Sequence, residues 1–121
     1  MTGDEIIGSY TKEEDIQKII DSIKSKPIEK TKHFYNSAIY GRDVDEEFID
    51  ETFHKFNLVR LINKRRHEKG DIGYDFYYEI SKSRTLIICL IPLKDKILMI
   101  NAIDRKRKWQ DSIISSSNKR F

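Results

Sequence analysis

The side chains best suited to proton transfer in this sequence are its three histidines, His33, His54 and His67. Imidazole titrates near neutral pH and can act as a general acid or base. His33 is predicted to lie where a strand meets a helix N-terminus, which favours anions, although a bond to a loop carbonyl explains it equally well. His54 is predicted on the surface of an acidic helix and has no assigned role. His67 either helps to hold phosphate or belongs to a solvated strand end.

Basic residues that could bind phosphate occur in three places. Arg60 stands in mid-strand, where it either clamps a phosphate or pairs with an acid such as Glu79 on a neighbouring strand. One basic cluster follows Arg60 in the sequence, and another starts at Arg105. The second is predicted at a helix N-terminus, where its positive charges oppose the helix dipole, and a bound polyanion or an acidic partner would offset this unfavourable interaction. Simple solubility also explains both clusters. The predicted nucleic-acid-binding residues are Lys64, Arg65, Arg66, His67, Lys106 and Arg107.

Tyr77 is predicted to project from the polar face of a strand, where its ring could stack on an unpaired base. Ordinary β-propensity also explains a tyrosine there. No glycine-rich phosphate loop, metal-binding cluster or Ser-His-Asp pattern is evident, so neither a metal nor another cofactor is predicted. The single cysteine, Cys89, lies in the most apolar segment and is predicted to be a core thiol in a reducing, cytoplasmic setting.

Composition and charge indicate one highly charged globular domain. The chain has 121 residues, of which 36% are charged and 11% aromatic. The longest uncharged run, residues 85–93, is too short for a membrane span, and neither a signal peptide nor membrane association is predicted. Residues 1–29 hold four lysines and seven acids, net −3, whereas residues 30–121 hold nineteen basic and thirteen acidic residues, net +6. The second part is therefore a candidate polyanion binder.

The N-terminal part is predicted to contain one amphipathic helix. The first ten residues are predicted to be frayed, and Thr11 and Glu14 to form a capping box. Pro27 is expected to end the helix. Its apolar stripe follows the spacing i, i+3, i+4, i+7 and consists of Ile16, Ile19, Ile20 and Ile23.

Two further short helices are predicted before the sheet. Residues 28–33 alternate weakly and could form a short edge strand. Residues 34–40 are predicted to be helical, with Gly41 as a left-handed stop. Either Asp43 or Asp45 is expected to cap the next helix, which is acidic in its first turn.

From residue 58 the apolar period changes to two, which predicts four strands near residues 58–64, 74–81, 85–93 and 97–103. Their short connections require antiparallel pairing. Asp104 is expected to cap a last helix with Trp109 and Ile113 on its inner side. The predicted fold is thus α+β, a four-stranded antiparallel meander packed against N-terminal helices and one C-terminal helix.

Two parts of the predicted α+β region carry a family resemblance. Its residues are Thr31-Lys32-His33, Gly41-Arg42, Val44 to Phe53, Ile97 to Ala102 and Arg105-Lys106-Arg107. They resemble the RelE-like and BrnT-like toxin superfamily, and most of all its small relatives with a strand, His, helix, Arg opening. The resemblance covers roughly residues 28–112 and leaves out the N-terminal helix. The predicted domain organisation is an N-terminal acidic helix and tail at 1–27, a RelE-like α+β core at 28–114 and a disordered basic tail at 115–121.

The resemblance implies a metal-independent ribonuclease of the toxin–antitoxin type. His33 would act as base or acid, Arg60 and either Arg105 or Arg107 would clamp phosphate, and Tyr77 would stack a base. The implied partners are RNA, with or without a ribosome, and an antitoxin-like protein. The predicted catalytic residues are His33, Arg60, Tyr77 and Arg105.

Two other functions stay open. One is a non-catalytic nucleic-acid-binding or regulatory module on the same fold. The other is a protein-interaction domain whose acidic N-terminal helix docks on a partner, or on a second copy to form a homodimer. The charge difference also predicts that this helix folds over the basic groove as an acidic cover.

Overall fold

A computed structural model of the chain describes residues 5–112. The strands are β1 (Glu5–Tyr10), β2 (Ile28–Lys30), β3 (Val59–Arg66), β4 (Ile72–Ser81), β5 (Arg84–Pro92) and β6 (Ile97–Arg105). The helices are α1 (Glu13–Ile23), α2 (Lys32–Phe34) with a π-helical continuation (Tyr35–Gly41), and α3 (Glu46–Phe53). Short 3₁₀ turns lie at Phe56–Leu58 and Trp109–Ser112.

The six strands form one sheet in the order β1-β3-β4-β5-β6-β2. The predicted α+β class is confirmed. Strands β3 to β6 form an antiparallel meander, but the sheet is larger than the predicted four strands because β1 adds antiparallel to β3 and β2 adds parallel to β6. None of the helices within residues 5–112 is long and apolar enough to cross a membrane.

The prediction that the first ten residues are frayed is wrong for residues 5–10. Strand β1 pairs with β3 from Glu5 opposite Arg66 to Tyr10 opposite Ile62. The Arg66 guanidinium also binds the Glu5 carboxylate at 2.8 Å. The hydrogen-bonding edge that orders this segment belongs to a strand more than fifty residues away, so the local sequence does not show it.

Helix α1 is confirmed, and Ile16, Ile20 and Ile23 are buried as its stripe predicts. The predicted capping box is absent, since the helix begins at Glu13 and Lys12 occupies the N-cap position without a side-chain hydrogen bond. Packing of the apolar stripe on the sheet therefore positions this helix without help from a side-chain cap.

The segment after β2 is helical as predicted but ends differently. The backbone N–H of Arg42 donates to the carbonyl of Ser37 at 2.9 Å, an i to i−5 bond that defines a π-helical turn. Gly41 is not left-handed; that conformation belongs to Asp43, with φ 56°. Gly41 is needed for close approach, because a Cβ there would lie 2.8 Å from the carbonyl oxygen of Asn36. Of the two residues predicted to cap α3, Asp45 is the one that does so, since its side chain accepts a hydrogen bond from the backbone N–H of Glu47 in the first turn of the helix.

The predicted last helix is wrong at its start. Asp104 lies within β6, where its carboxylate accepts hydrogen bonds from the Arg84 guanidinium at 2.9 and 2.6 Å. Pairing with β5 continues to Arg105, opposite Thr85, and holds these residues extended. A four-residue 3₁₀ turn containing Trp109 follows. Residue 113 and the predicted tail at 115–121 lie outside the described residues.

The sheet has a helix face and an opposite face, here called the cavity face. The larger core lies on the helix face, where the three helices pack against strand residues such as Phe76, Tyr78 and Ile88. A smaller cluster on the cavity face contains Leu61, Tyr77 and Ile87, with Trp109 packed against it. The cavity face therefore combines an apolar centre with surrounding space that no long helix of residues 5–112 fills.

Two bulges decide which side chains reach the cavity face. In β6, Met99 lies opposite Leu90 of β5, and Asn101 lies opposite the adjacent residue, Cys89. Ile100 is therefore an extra residue with no partner in β5. In β3, a similar register shift falls at Arg60. An extra residue reverses the face of all later side chains in a strand. The uniform alternation predicted for β3 is therefore interrupted at Arg60.

The Tyr78 hydroxyl fastens the end of α3 to the sheet. It is fully buried and donates to the carbonyl of Phe53 at 2.8 Å. We expect Tyr78→Phe to lower the free energy of unfolding by about 1–3 kcal/mol in urea titration, because the carbonyl loses its buried donor. Tyr74→Phe is the control, since the Tyr74 hydroxyl binds no described residue, and it should cost less than about 0.5 kcal/mol. Equal losses would show that this hydrogen bond is not the cause.

Candidate active site

The cavity face contains a depression of about 550 Å³. Its walls carry the side chains of His33, Arg65, His67, Asp75, Tyr77 and Arg105, and its floor includes Ile87, Cys89 and Ile103. Three of the four predicted catalytic residues therefore lie around one space. Of the six predicted nucleic-acid-binding residues, Arg65 and His67 join them.

Strand register assembles this site from four parts of the chain. Asn63, Asp75, Cys89 and Asn101 lie opposite one another on β3, β4, β5 and β6. The neighbouring row consists of Leu61, Tyr77, Ile87 and Ile103. Paired residues on one face lie side by side, so a polar row adjoins an apolar row across the cavity.

His33 enters the cavity from α2. The Thr31 hydroxyl oxygen caps this helix by accepting from the N–H of Phe34 at 3.1 Å, and the N–H of Thr31 binds the carbonyl of Met99 in β6 at 3.1 Å. These bonds hold the start of the helix against the sheet. The imidazole is exposed, and its Nε2 lies 3.2 Å from the Oγ of Ser37.

His67 reaches the cavity from the β3–β4 turn. Two backbone hydrogen bonds close this turn. The N–H of His67 donates to the carbonyl of Asp71 at 2.8 Å, and the N–H of Gly70 donates to the carbonyl of His67 at 2.7 Å. Gly70 has φ 95°, which glycine adopts without strain. A Cβ at Gly73 would lie 2.7 Å from the His67 Nε2, so the missing side chain makes room for the ring.

Arg65 is oriented by Asp75. Its Nε and Nη2 donate to one carboxylate oxygen at 3.0 and 2.6 Å, and Asp75 is only 4% exposed. Burial alone would lower the pKa of Arg65, but the hydrogen bond and the negative charge of Asp75 raise it above its ordinary value. Arg65 is therefore a fixed cation whose charge is largely balanced by its partner.

Tyr77 forms part of the cavity wall with a protonated phenol. Its hydroxyl accepts from the Nδ2 of Asn63 at 3.2 Å, and Asn63 accepts from the hydroxyl of Ser9 in β1 at 2.6 Å. Burial raises the pKa of Tyr77 above its ordinary value, and the nearby charge of Asp75 adds to this. Burial also raises the pKa of Cys89, well above its ordinary value, so this thiol is not a thiolate nucleophile at neutral pH.

Arg60 lies apart from this cavity. Its Nε is 3.2 Å from the Glu79 carboxylate, and its Nη1 donates to the carbonyl of Asn57 at 2.6 Å. Of the two interpretations of Arg60, the structure shows the pair with Glu79. The side chain lines a separate depression beside α1 and Trp109.

The remaining predicted nucleic-acid-binding residues are distributed differently. Strand alternation places Lys64 and Arg66 on the face opposite Arg65, and Arg66 pairs with Glu5. Lys106 and Arg107 are exposed in the segment after β6, which is held by a bond from the Thr85 hydroxyl to the Arg107 carbonyl at 2.7 Å. These four lie outside the described cavity walls.

The sequence interpretation missed three polar residues of the site, Asn63, Asp75 and Asn101. Asn63 precedes a basic run and carries no such signal, but Asp75 and Asn101 each stand between two apolar residues of a strand, where a polar group that becomes buried needs a partner. That signal was visible in the sequence. The side-chain partners were not, because Arg65 lies on a different strand from Asp75 and Arg42 lies 59 residues before Asn101.

The expectation that α1 covers the basic groove is wrong. The buried stripe of α1 packs into the core on the helix face, while the depression lies on the cavity face. Its apolar stripe determines this position, whereas its acidic residues remain largely exposed on the outside of the helix.

Comparison of the chain with known protein families, curated proteins and solved structures finds no match. Any functional assignment therefore depends on the chemistry of the cavity.

Proposed function

We propose that this protein is a metal-independent ribonuclease of the toxin–antitoxin type, which cleaves RNA by attack of the ribose 2′-hydroxyl. The observation that supports this is the grouping of two imidazoles, His33 and His67, with the guanidinium groups of Arg65 and Arg105 around one cavity. The reaction needs a base, an acid and fixed positive charge, and these side chains are able to provide all three.

In the proposed reaction, one imidazole removes the proton of the 2′-hydroxyl. The 2′-oxygen then attacks phosphorus, and the bond from phosphorus to the 5′-oxygen breaks. The second imidazole, protonated at the start, gives its proton to this 5′-oxygen. The products are a 2′,3′-cyclic phosphate and a free 5′-hydroxyl, so the proton balance closes within the pair of histidines.

The other side chains have supporting roles in this proposal. Arg105 stabilises the charge that develops on the phosphate oxygens, and Arg65, already bound to Asp75, adds directed N–H donors. Tyr77, which is 5% exposed and packs with Leu61 and Ile87, forms the part of the wall beside the apolar floor, and a base can pack against that floor. Arg60 has no part in the reaction because it pairs with Glu79 elsewhere.

The proposed partners are RNA, free or on a ribosome, and an antitoxin-like protein. The test is incubation of the whole protein with a labelled single-stranded RNA, with and without ribosomes, in the presence of a chelator. We expect products that end in a 2′,3′-cyclic phosphate, and no cleavage when every 2′-hydroxyl is methylated.

Other results of this test would support other functions. Binding of RNA that weakens with salt, without cleavage in either setting, would indicate a non-catalytic nucleic-acid-binding module. Absence of both cleavage and binding would indicate a protein-interaction domain.

A further inference from the structure

The side-chain amide of Asn101 stands in the cavity wall in a fixed orientation. Its Oδ1 accepts from the Nη1 of Arg42 at 3.1 Å and from the backbone N–H of Ala102 at 2.9 Å. Both partners are donors, so they can meet only the oxygen end of the amide. The hydrogen-bond pattern therefore identifies Nδ2 as the other end.

The Nδ2 group of Asn101 keeps its two N–H donors available. Within residues 5–112 it makes no hydrogen bond, and no side-chain nitrogen or oxygen there is both buried and without a partner. The Nδ2 atom is therefore accessible, and Asn101 lines the cavity. A ligand would meet a donor that needs no reorientation.

The bulge in β6 places Asn101 on this face. Met99 belongs to the helix-face core, and simple alternation would put Asn101 on the same face as Met99. The extra residue, Ile100, reverses the alternation, so that Asn101 lies opposite Cys89 at the cavity. Bulges occur next to active sites because they redirect side chains in this way.

Contacts through Ser37 connect the amide to the proposed acid–base group. The Oγ of Ser37 lies 3.2 Å from the His33 Nε2. The carbonyl of Ser37 accepts two hydrogen bonds from Arg42, one from its backbone N–H at 2.9 Å and one from its Nη1 at 3.4 Å. The residue that orients Asn101 is therefore held beside the imidazole. A phosphate that reacts at His33 would therefore lie near these donors, and a base would extend over the apolar floor.

We infer that Asn101 donates from Nδ2 to a non-bridging oxygen of the scissile phosphate, and that Arg42 is the positioning residue that orients the amide. This inference rests on the proposed ribonuclease function. Donors that already point at the site of developing charge stabilise a transition state without reorganisation. Asn101 is thus a further catalytic residue, beyond the histidines and arginines.

The test compares Asn101→Ala and Asn101→Asp with the wild type in RNA cleavage. Both variants remove the donor, while Asp retains the oxygen that binds Arg42. We expect kcat to fall by about 10²–10³-fold in both. The control is Asn57→Asp, which adds the same charge at an exposed residue beside Arg60, and it should stay within about twofold of the wild type.

Arg42→Gln tests the positioning role. It should lower kcat in the wild type but cause little further loss in Asn101→Ala, because both changes act through one amide. Full additivity of the two losses would contradict the role of Arg42. A kcat near the wild-type value in Asn101→Ala, with loss only in Asn101→Asp, would show charge repulsion and overturn the donor role.

If the wild type does not cleave RNA, the ribonuclease proposal fails and the phosphate contact is measured separately. The probe is a fully 2′-O-methylated RNA oligonucleotide, and the measurement is its Kd with the same variants. About tenfold weaker binding by Asn101→Ala would support the contact without catalysis. Equal affinities for wild type and Asn101→Ala would overturn it.

Discussion

Replacing His33 or His67 with glutamine is expected to lower the rate of RNA cleavage by about 10²–10⁴-fold, the usual contribution of one general acid or base. Glutamine keeps hydrogen-bonding capacity and polar character but cannot exchange a proton near neutral pH. The measurement is the single-turnover rate with excess protein, which isolates the chemical step from product release. The two losses should not add fully in the double variant, because the histidines act in one reaction.

His54→Gln is the matched control for these substitutions. His54 lies at the end of α3, on the helix face, where its ring contacts Phe53 and Phe56 at 5.1 and 6.4 Å between centroids. It lines a different depression, together with Lys30 and Tyr35. Its replacement should leave the rate within about twofold. Similar losses in all three variants would mean that the histidines act through folding rather than through proton transfer.

Removing the carboxylate of Asp75 should have the largest effect on stability among the residues of the site. Asp75→Ala leaves the Arg65 guanidinium, whose side chain is 25% exposed, without its partner in a largely buried position. Breaking a buried ion pair from one side costs about 3–5 kcal/mol, and the partial exposure of Arg65 places the expected loss near about 3 kcal/mol. The measurement is the free energy of unfolding in urea, with the slope checked for constancy.

A double variant that replaces both partners tests whether the ion pair of Asp75 and Arg65 is needed for stability. Asp75→Leu combined with Arg65→Met should be more stable than Asp75→Ala alone, because apolar side chains of similar volume carry no unpaired charge. RNA cleavage should still be impaired, since the donors of Arg65 are gone. The double variant therefore separates the structural role of the pair from its part in the reaction.

The exposed pair between Arg66 and Glu5 provides the comparison. Both side chains are more than half exposed, at 53% and 57%, so Glu5→Ala should change stability by less than about 1 kcal/mol. If Asp75→Ala costs no more than Glu5→Ala, the buried pair is not a structural element of the cavity.

The secondary-structure elements that could be predicted are those with a strong local period. The stripe Ile16, Ile20, Ile23 defines one face of α1, and alternation in β4 separates Phe76 from Tyr77. Periods of 3.6 and 2 follow from backbone geometry alone. The strands of the meander, their antiparallel pairing and the α+β class could therefore be read from residue order, whereas the ends of the elements depended on non-local contacts.

The composition of the cavity could be predicted only in part. His33, Tyr77 and Arg105 were candidates by residue type, but Arg60, equally prominent in the sequence, lies elsewhere with Glu79. The bulge at Arg60 and the pairing of β3 with its neighbours decide this difference. Neither has a signal in the surrounding residues, because register depends on the partner strand.

The sequence by itself determined the amphipathic α1, the alternating strands and the supply of imidazole and guanidinium groups, since these depend on residue type and short-range spacing. Only the tertiary structure decided that β1 joins the sheet, that β6 continues to Arg105 and that Asn101 points into the cavity. The physical reason is that strand pairing, bulges and buried polar contacts join residues distant along the chain, and their free energy appears only when those residues meet.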